Sequence, residues 1–292
     1  MNELRPTSPL QRPETARPRE APEPEVEPPS PDELRAIEHH LVALPTFEGG
    51  VIEEDADLGV ALVRGPGREP DTSYAAMPRW GVADWQPRLE AVCDRMRAEG
   101  AWPSLLWCAP LDRPIGLDRE LPRLGWAPVA GETILWVGHA SVVPHLDPTL
   151  RIEAVQPRTL ATHAALESRI FEMGTARVER RRDALAAAME AGRVRAWVVW
   201  LDEEPVAVAR LSQAGGVAAL QGIGVVEGRR GQGFGTLITT VATRAGLALG
   251  NRIVWLSVSE SNPGARRVYA RLGFAPVMTW TRWLVTDDRS RQ

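Results

Sequence analysis

The sequence predicts an α/β fold: a mixed β-sheet flanked by helices, built as two tandem halves related by duplication. Three observations carry that prediction. First, Arg123-Leu-Gly-Trp-Ala-Pro-Val129 recurs as Arg271-Leu-Gly-Phe-Ala-Pro-Val277, at an offset of 148 residues with six of seven positions identical. Second, the same offset lays Leu105-Leu106-Trp107 on Ile253-Val254-Trp255, and Leu89 on Leu237, without a gap. It also lays the helical segment Asp32–Leu44 on Arg180–Gly192 and the apolar run Leu58–Val63 on Val206–Leu211. Third, helical patterns alternate with consecutive strand patterns, the signature of a mixed sheet.

Taken in order, residues 1–31 hold nine of the 25 prolines among glutamates and arginines. Such a segment buries too little apolar surface to offset its ordering entropy, and a disordered tail is expected. Order begins at Pro31-Asp32-Glu33, an acidic helix start followed by Leu34, Ile37, Leu41 and Leu44. The first half is expected over 32–141. A proline-containing stretch, Val142 to Thr149, leads to the second half over 150–286.

That second half reads as a strand (Leu150–Val155) and a helix (Arg158–Phe171) whose counterparts would fall in the tail. The helix over Arg180–Gly192 follows, then strands at Arg195–Leu201, Pro205–Gln213 and Val217–Val226. A helix (Gly233–Ala248), a strand (Arg252–Val258), a helix (Pro263–Leu272) and a last strand (Val277–Val285) complete it.

Composition narrows the function. The chain of 292 residues is 44% hydrophobic and 25% charged. It has no unbroken apolar run of about 18 residues, so no membrane span is expected. The net charge of −4 gives no basic excess for nucleic acid. All 34 basic residues are arginine, which excludes a Walker-type phosphate loop, a Schiff-base enzyme and a lysine general base. Two cysteines, Cys93 and Cys108, make neither a disulfide framework nor a zinc site, and both are expected in the core. No metal is expected: His39-His40 point different ways on a helix. Arg180-Arg181-Arg182 reads as a solvated helix face. Without a secretory signal, the protein is expected in the cytoplasm.

The chemistry-bearing segment follows the strand 217–226. Glycines at 231, 233 and 235 let the chain turn sharply and let an anion approach the amides without a Cβ in the way. The helix that starts there aims its free N–H groups at the same place, and Arg229 and Arg230 add charge. Together they describe a diphosphate cradle. A dinucleotide fingerprint fits poorly, because its third glycine would fall at Thr236 and residues 253–257 contain no acid.

Arg230-x-x-Gly233-x-Gly235, after a strand ending Ile223-Gly-Val225, resembles the acetyl-CoA pyrophosphate motif of the GNAT acetyltransferases. Asn262-x-x-Ala265-x-x-x-Tyr269-x-x-x-Gly273-Phe274 resembles that family's second motif. The resemblance covers residues 150–285 and reaches the first half only through the repeat. It implies two tandem GNAT-like domains and a splayed strand pair holding acetyl-CoA, as co-substrate, in the second. It places the pantetheine arm against the main chain of Ile223 and Val225. The pyrophosphate then lies on Gly231, Gln232, Gly233, Phe234, Gly235 and Thr236, with Asn262 on the arm's other side. Tyr269 becomes the acid for the leaving sulfur, and the Val225 amide the oxyanion donor.

Many relatives carry a glutamate on the strand before the glycine loop, but here it reads Val217-Ala-Ala-Leu-Gln221. Glu172 and Glu260 are the candidate bases; a water chain, or a substrate of lowered pKa, is the alternative. In the repeat register, Gly231, Gly233 and Gly235 fall opposite Ala83, Trp85 and Pro87, Asn262 opposite Pro114, and Tyr269 opposite Leu121. The first half is therefore expected to keep the scaffold without the cofactor. It would act as a pseudo-dimer partner, walling the acceptor pocket with Trp80, Trp85 and Trp102.

The expected activity is acetyl transfer to a primary amine of a small molecule or peptide, by direct attack in a ternary complex, in a monomer acting as a pseudo-dimer or in a homodimer. The tandem form is also similar to mycothiol synthase. A non-catalytic acyl-CoA sensor or interaction module is the reading from another class.

Overall fold

A computed structural model describes residues 27–65, 73–100, 105–140 and 149–285. The expected tail up to residue 26, Trp102 and most of the stretch between the halves lie outside the described residues.

The first ordered element, α1 (Pro31–Ala43), starts with a reciprocal cap. Ser30 Oγ accepts from the Glu33 amide, while Glu33 Oε2 accepts from the Ser30 amide at 2.8 Å. Its apolar face buries Ile37, Leu41 and Val42. The first half continues with β1 (Val51–Asp55), β2 (Val60–Arg64), β3 (Tyr74–Ala76), α2 (Trp85–Ala98), β4 (Leu105–Cys108), a short helix α3 (Leu117–Glu120) and β5 (Trp126–Val137). Strands β1 and β3 were not legible beforehand, being short and, in β1, mostly acidic.

In the second half follow β6 (Leu150–Ala154), α4 (Leu160–Phe171), α5 (Thr175–Glu190), β7 (Val194–Leu201), β8 (Glu204–Ala214) and β9 (Val217–Val225). The chain ends with α6 (Phe234–Ala248), β10 (Ile253–Ser259), α7 (Pro263–Arg271) and β11 (Ala275–Val285). Each expected element forms within a few residues of its expected bounds. Periodicity and turn residues are local signals, and here the tertiary structure does not override them.

The strands make one 11-stranded sheet in the order β1-β2-β3-β4-β11-β5-β10-β9-β8-β7-β6. Its centre alternates between the halves. Strand β11 runs antiparallel to both β4 and β5, and β5 runs antiparallel to β10, with Ser259 opposite Glu132. Each half thus lends its last strand to the other. Shifting every strand by the repeat offset turns this order into its own reverse, apart from β6. That is the pattern of an internal two-fold axis.

Across one face lies α1, over a core that includes Ile37, Leu41, Ile134, Trp255 and Trp280. On the opposite face α2 covers Leu62, Leu106 and Trp126, and α6 covers Leu220, Val254 and Leu256. Among the described residues, no helix is long and apolar enough to cross a membrane.

Candidate active site

The site begins where the sheet opens. Strands β9 and β10 pair in parallel only at Val217–Ile253, Ala218–Val254 and Ala219–Trp255, and beyond Ala219 they part. A bulge bends β9 there: Arg210 faces Gln221 and Val208 faces Gly224, so Ala209 alone spans Gly222 and Ile223. Gly222 has φ 56°, and a Cβ on it would stand 2.6 Å from Glu167 Oε1 and 3.1 Å from Arg210 Nε. Only glycine fits that position. A glycine isolated in a strand is the signal that could have revealed the bulge.

Past the bulge, β9 runs into the glycine loop. Gly231 and Gly233 take φ of 79° and 90°, and Gly233 is the residue from which α6 starts, with no side chain capping it. The first-turn amides of Phe234, Gly235 and Thr236 therefore have no partner within the helix. They border a cleft of about 680 Å³ between the loop and α7. Arg229, Arg230, Arg267 and Arg271 also line it, with no carboxylate among the described lining residues. Arg267 and Arg271 were not singled out from the sequence. Amide donors, a helix dipole and four guanidiniums suit a diphosphate, so the residues present fit the nucleotide end of coenzyme A.

The amide of Val226 donates to Val206 at 3.0 Å, towards β8. On extended backbone the amide one residue earlier, that of Val225, points the other way, into the opening. Tyr269 approaches from α7. It is 8% exposed and borders both this cleft and a second cavity. Burial pushes its phenol up to about 12, so it stays protonated at neutral pH. Asn262 begins α7: its Oδ1 accepts from the Ala265 amide at 3.0 Å, and its residue also borders both spaces. One end of that side chain is committed to the cap.

The second cavity, about 440 Å³, opens on the α1 face of the sheet and meets the first at Phe171, Ile223, Asn262, Ala265 and Tyr269. The first half contributes Leu41, Leu44, Pro45, Tyr74, Trp107 and Glu132 to its wall. Of the tryptophans expected there, Trp80 and Trp85 do not supply it. Both are buried under α2, on the sheet's other face. Trp107 takes that place because β4 alternates, with Leu106 towards α2 and Trp107 towards α1.

Arginines meet the cavity from the other side. Glu167, 2% exposed, stands 3.3 Å from both Arg181 Nη2 and Arg210 Nε. Arg181 is thus turned inward, in contrast to the solvated face expected of the arginine run, because α5 packs on α4 where Glu167 is buried. His163 beside them is held down to about 4 by burial and is neutral at physiological pH. Below the cavity floor, Gln221 Nε2 donates to Ser212 Oγ at 2.6 Å, and Ser212 meets His40 Nε2 at 2.9 Å.

Ile223, Val225, Arg230, Gly231, Gly233, Phe234, Gly235 and Thr236 come together around the cleft with Tyr269. Gln232 turns outward, its side-chain amide reaching the Gly228 carbonyl at 3.3 Å. Glu172, in a left-handed conformation at the end of α4, borders a separate hollow with Arg169, Glu204 and Arg229. Glu260 is exposed beyond β10, with its carboxylate against Gly131. Neither carboxylate lines the cavity on the α1 face.

Residues 162–274 match the sequence model of the Acetyltransferase (GNAT) family. No curated protein matches the chain. A GCN5-related N-acetyltransferase from Kribbella flavida is similar in structure, with a TM-score of 0.62 and 22% identity over 78% of this chain and 87% of that one. A tandem GNAT protein from the clavulanic acid biosynthesis pathway gives a TM-score of 0.58 and 18% identity over 77% of each chain. A GCN5-related N-acetyltransferase from Sphaerobacter thermophilus gives 0.56 and 18% over 88% of this chain and 93% of that one. At such identities the likeness establishes the fold, and it runs well beyond the second half.

Proposed function

We propose, from the match of residues 162–274 to the acetyltransferase (GNAT) family model, an acetyl-CoA-dependent N-acetyltransferase with one active site, the opening between β9 and β10. The supporting observation is the cleft itself. Among its described lining residues are four arginines and no carboxylate, and it ends on the unpartnered first turn of α6. Acetyl-CoA supplies the thioester. The first half is read as a degenerate domain over 32–141 that keeps the sheet and lacks the cradle, and the second as the catalytic domain over 150–286. The exchanged strands make a single chain a pseudo-dimer.

An amine entering from the α1 face reaches the thioester through the opening. The Val225 amide faces the space where negative charge develops on the carbonyl oxygen, and a preorganised donor there lowers the barrier. Tyr269 holds a proton at its hydroxyl and gives it to the departing sulfur. A thiolate of ordinary pKa ~8.5 accepts such a proton more readily once it is out of water, where its charge is less stabilised. Neither Glu172 nor Glu260 lines the acceptor cavity, so neither serves as the base, and water in that cavity takes the ammonium's proton before attack. The acceptor is a primary amine of a small molecule or peptide.

Thiol release from acetyl-CoA by the purified full chain, with and without a panel of primary amines, tests this. Acceptor-dependent release is expected. Tight acetyl-CoA binding with no release above the amine-free rate would overturn it. That result would favour a non-catalytic acyl-CoA sensor, a reading to which the missing carboxylate on β9 lends support.

A further inference from the structure

The cavity on the α1 face carries one carboxylate among its described lining residues, and it belongs to the first half. Glu132 sits on β5, the strand that half lends to its partner, directly opposite Ser259 on β10. That register is informative. Ser259 lies beyond Trp255, the last β10 residue paired with β9, so Glu132 flanks the opening itself. Directly opposed residues on antiparallel strands project to the same side, which puts Glu132, Ser259 and Ser257 on the cavity face.

Glu132 is partly buried and has no ion pair among the described residues. Arg282 stacks over Trp107, with its guanidinium carbon 5.0 Å from the ring centroid. Tyr74 lies against Trp107 with ring centroids 5.4 Å apart, and the Glu132 charge, after burial, helps push its phenol up. Leu41, Leu44 and Pro45 close the wall. The arginines that hold Glu167 lie towards β8, on the far side of the opening. A carboxylate beside aromatic and aliphatic surface, with guanidiniums at the opposite end, selects a cation with an apolar body and sets its direction.

We infer that Glu132 is the acceptor-binding carboxylate: it takes the ammonium of a hydrophobic primary amine whose body rests on Tyr74 and Trp107, and so positions the nitrogen at the opening. Resting on the acetyltransferase reading above, this deepens it by naming the acceptor class. It also makes the first half a working part of the active site. Glu132 is a positioning residue; the acetyl transfer stays with the residues of the second half.

The test uses the full chain saturated with coenzyme A and titrated by calorimetry with 2-phenylethylamine, then with 2-phenylethanol, which has nearly the same shape without the charge. The amine is expected to bind at least about tenfold more tightly than the alcohol, and Glu132→Gln to remove that preference while leaving coenzyme A affinity unchanged. In turnover, Glu132→Gln raises the KM for the amine far more than it lowers kcat, and Glu132→Asp restores part of the loss. Equal binding of amine and alcohol by the unaltered chain, or no binding of either, overturns the inference without any variant. So does a preference that survives Glu132→Gln. Selective amine binding lost in Glu132→Gln, but with no thiol release in the unaltered chain, upholds the subsite and overturns the transferase reading instead.

Discussion

The two halves place different residues on one scaffold, and the difference lies in what fills the space beside the first turn of a helix. In the second half that turn begins at Gly233 and borders an open cleft. In the first half the matching position is Trp85, 9% exposed, and the position of Tyr269 is Leu121, fully buried. Both belong to a core with Val60, Leu106 and Trp126 under α2. The position of Gly235 is Pro87, which has no N–H to offer. Ahead of α2 stands Asp84, whose carboxylate meets Arg88 at 2.8 Å. One helix start stands open beside a cleft, and the other carries a carboxylate of its own. A cavity and a solid core are thus alternative ways to finish the same frame.

Transferring the first half's solution to the second should have the largest effect. Gly233→Trp is expected to abolish acetyl-CoA binding in calorimetry, because the residue needs φ of 90° and its side chain would enter the cradle. Retained binding would break the comparison. Tyr269→Phe should lower kcat by about 10²-fold or more, the usual range for a lost general acid, with acetyl-CoA affinity within about threefold. A loss confined to affinity would leave Tyr269 a packing residue like its counterpart. Leu121→Ala should cost about 2–5 kcal/mol in denaturant unfolding, as buried leucines do, while acetyl-CoA affinity per folded molecule holds. A matching fall in affinity would show that the first half reaches into the cofactor site.

The smallest effect concerns the clasp between halves. Glu33 on α1 pairs with Arg252 at the start of the second half's β10, and that hydrogen bond holds its carboxyl down to about 2. Because the folded-state pKa is lowered, the contribution is complete above the ordinary carboxylate value near 4.5 and fades as pH falls towards 2. Arg252→Ala should therefore lower stability by up to about 1 kcal/mol at pH 7, typical of partly exposed pairs, and by less as pH drops towards 2. A difference that is the same at both pH values would remove the clasp. Glu33 has no acidic counterpart in the other half, where the repeat register puts Arg181.

Much of this was legible beforehand for a physical reason. Helix starts, strand alternation and glycines that need positive φ are properties of short segments, and the repeat register tied those segments into two copies. The positive-φ turn at Gly231 and Gly233 and the helix that carries Tyr269 belong to this class, since each segment is contiguous. The wall of the cavity on the α1 face does not. Trp80, Trp85 and Trp107 are indistinguishable as tryptophans, and only the face of the strand or helix that carries each decides which one meets a ligand. Glu132 gave no local sign, because its neighbour Ser259 lies 127 positions away and is brought to it by strand pairing.

By itself, then, the amino-acid order determined the elements, their repeat and the glycine turn ahead of α6, all of which follow from patterns over short segments. Only the tertiary structure decided that β5 and β11 change places, that a bulge at Gly222 parts β9 from β10, and that the first half's Glu132 borders the opening. Those outcomes depend on which apolar faces bury one another across the whole sheet, a choice made by long-range packing rather than by any local preference.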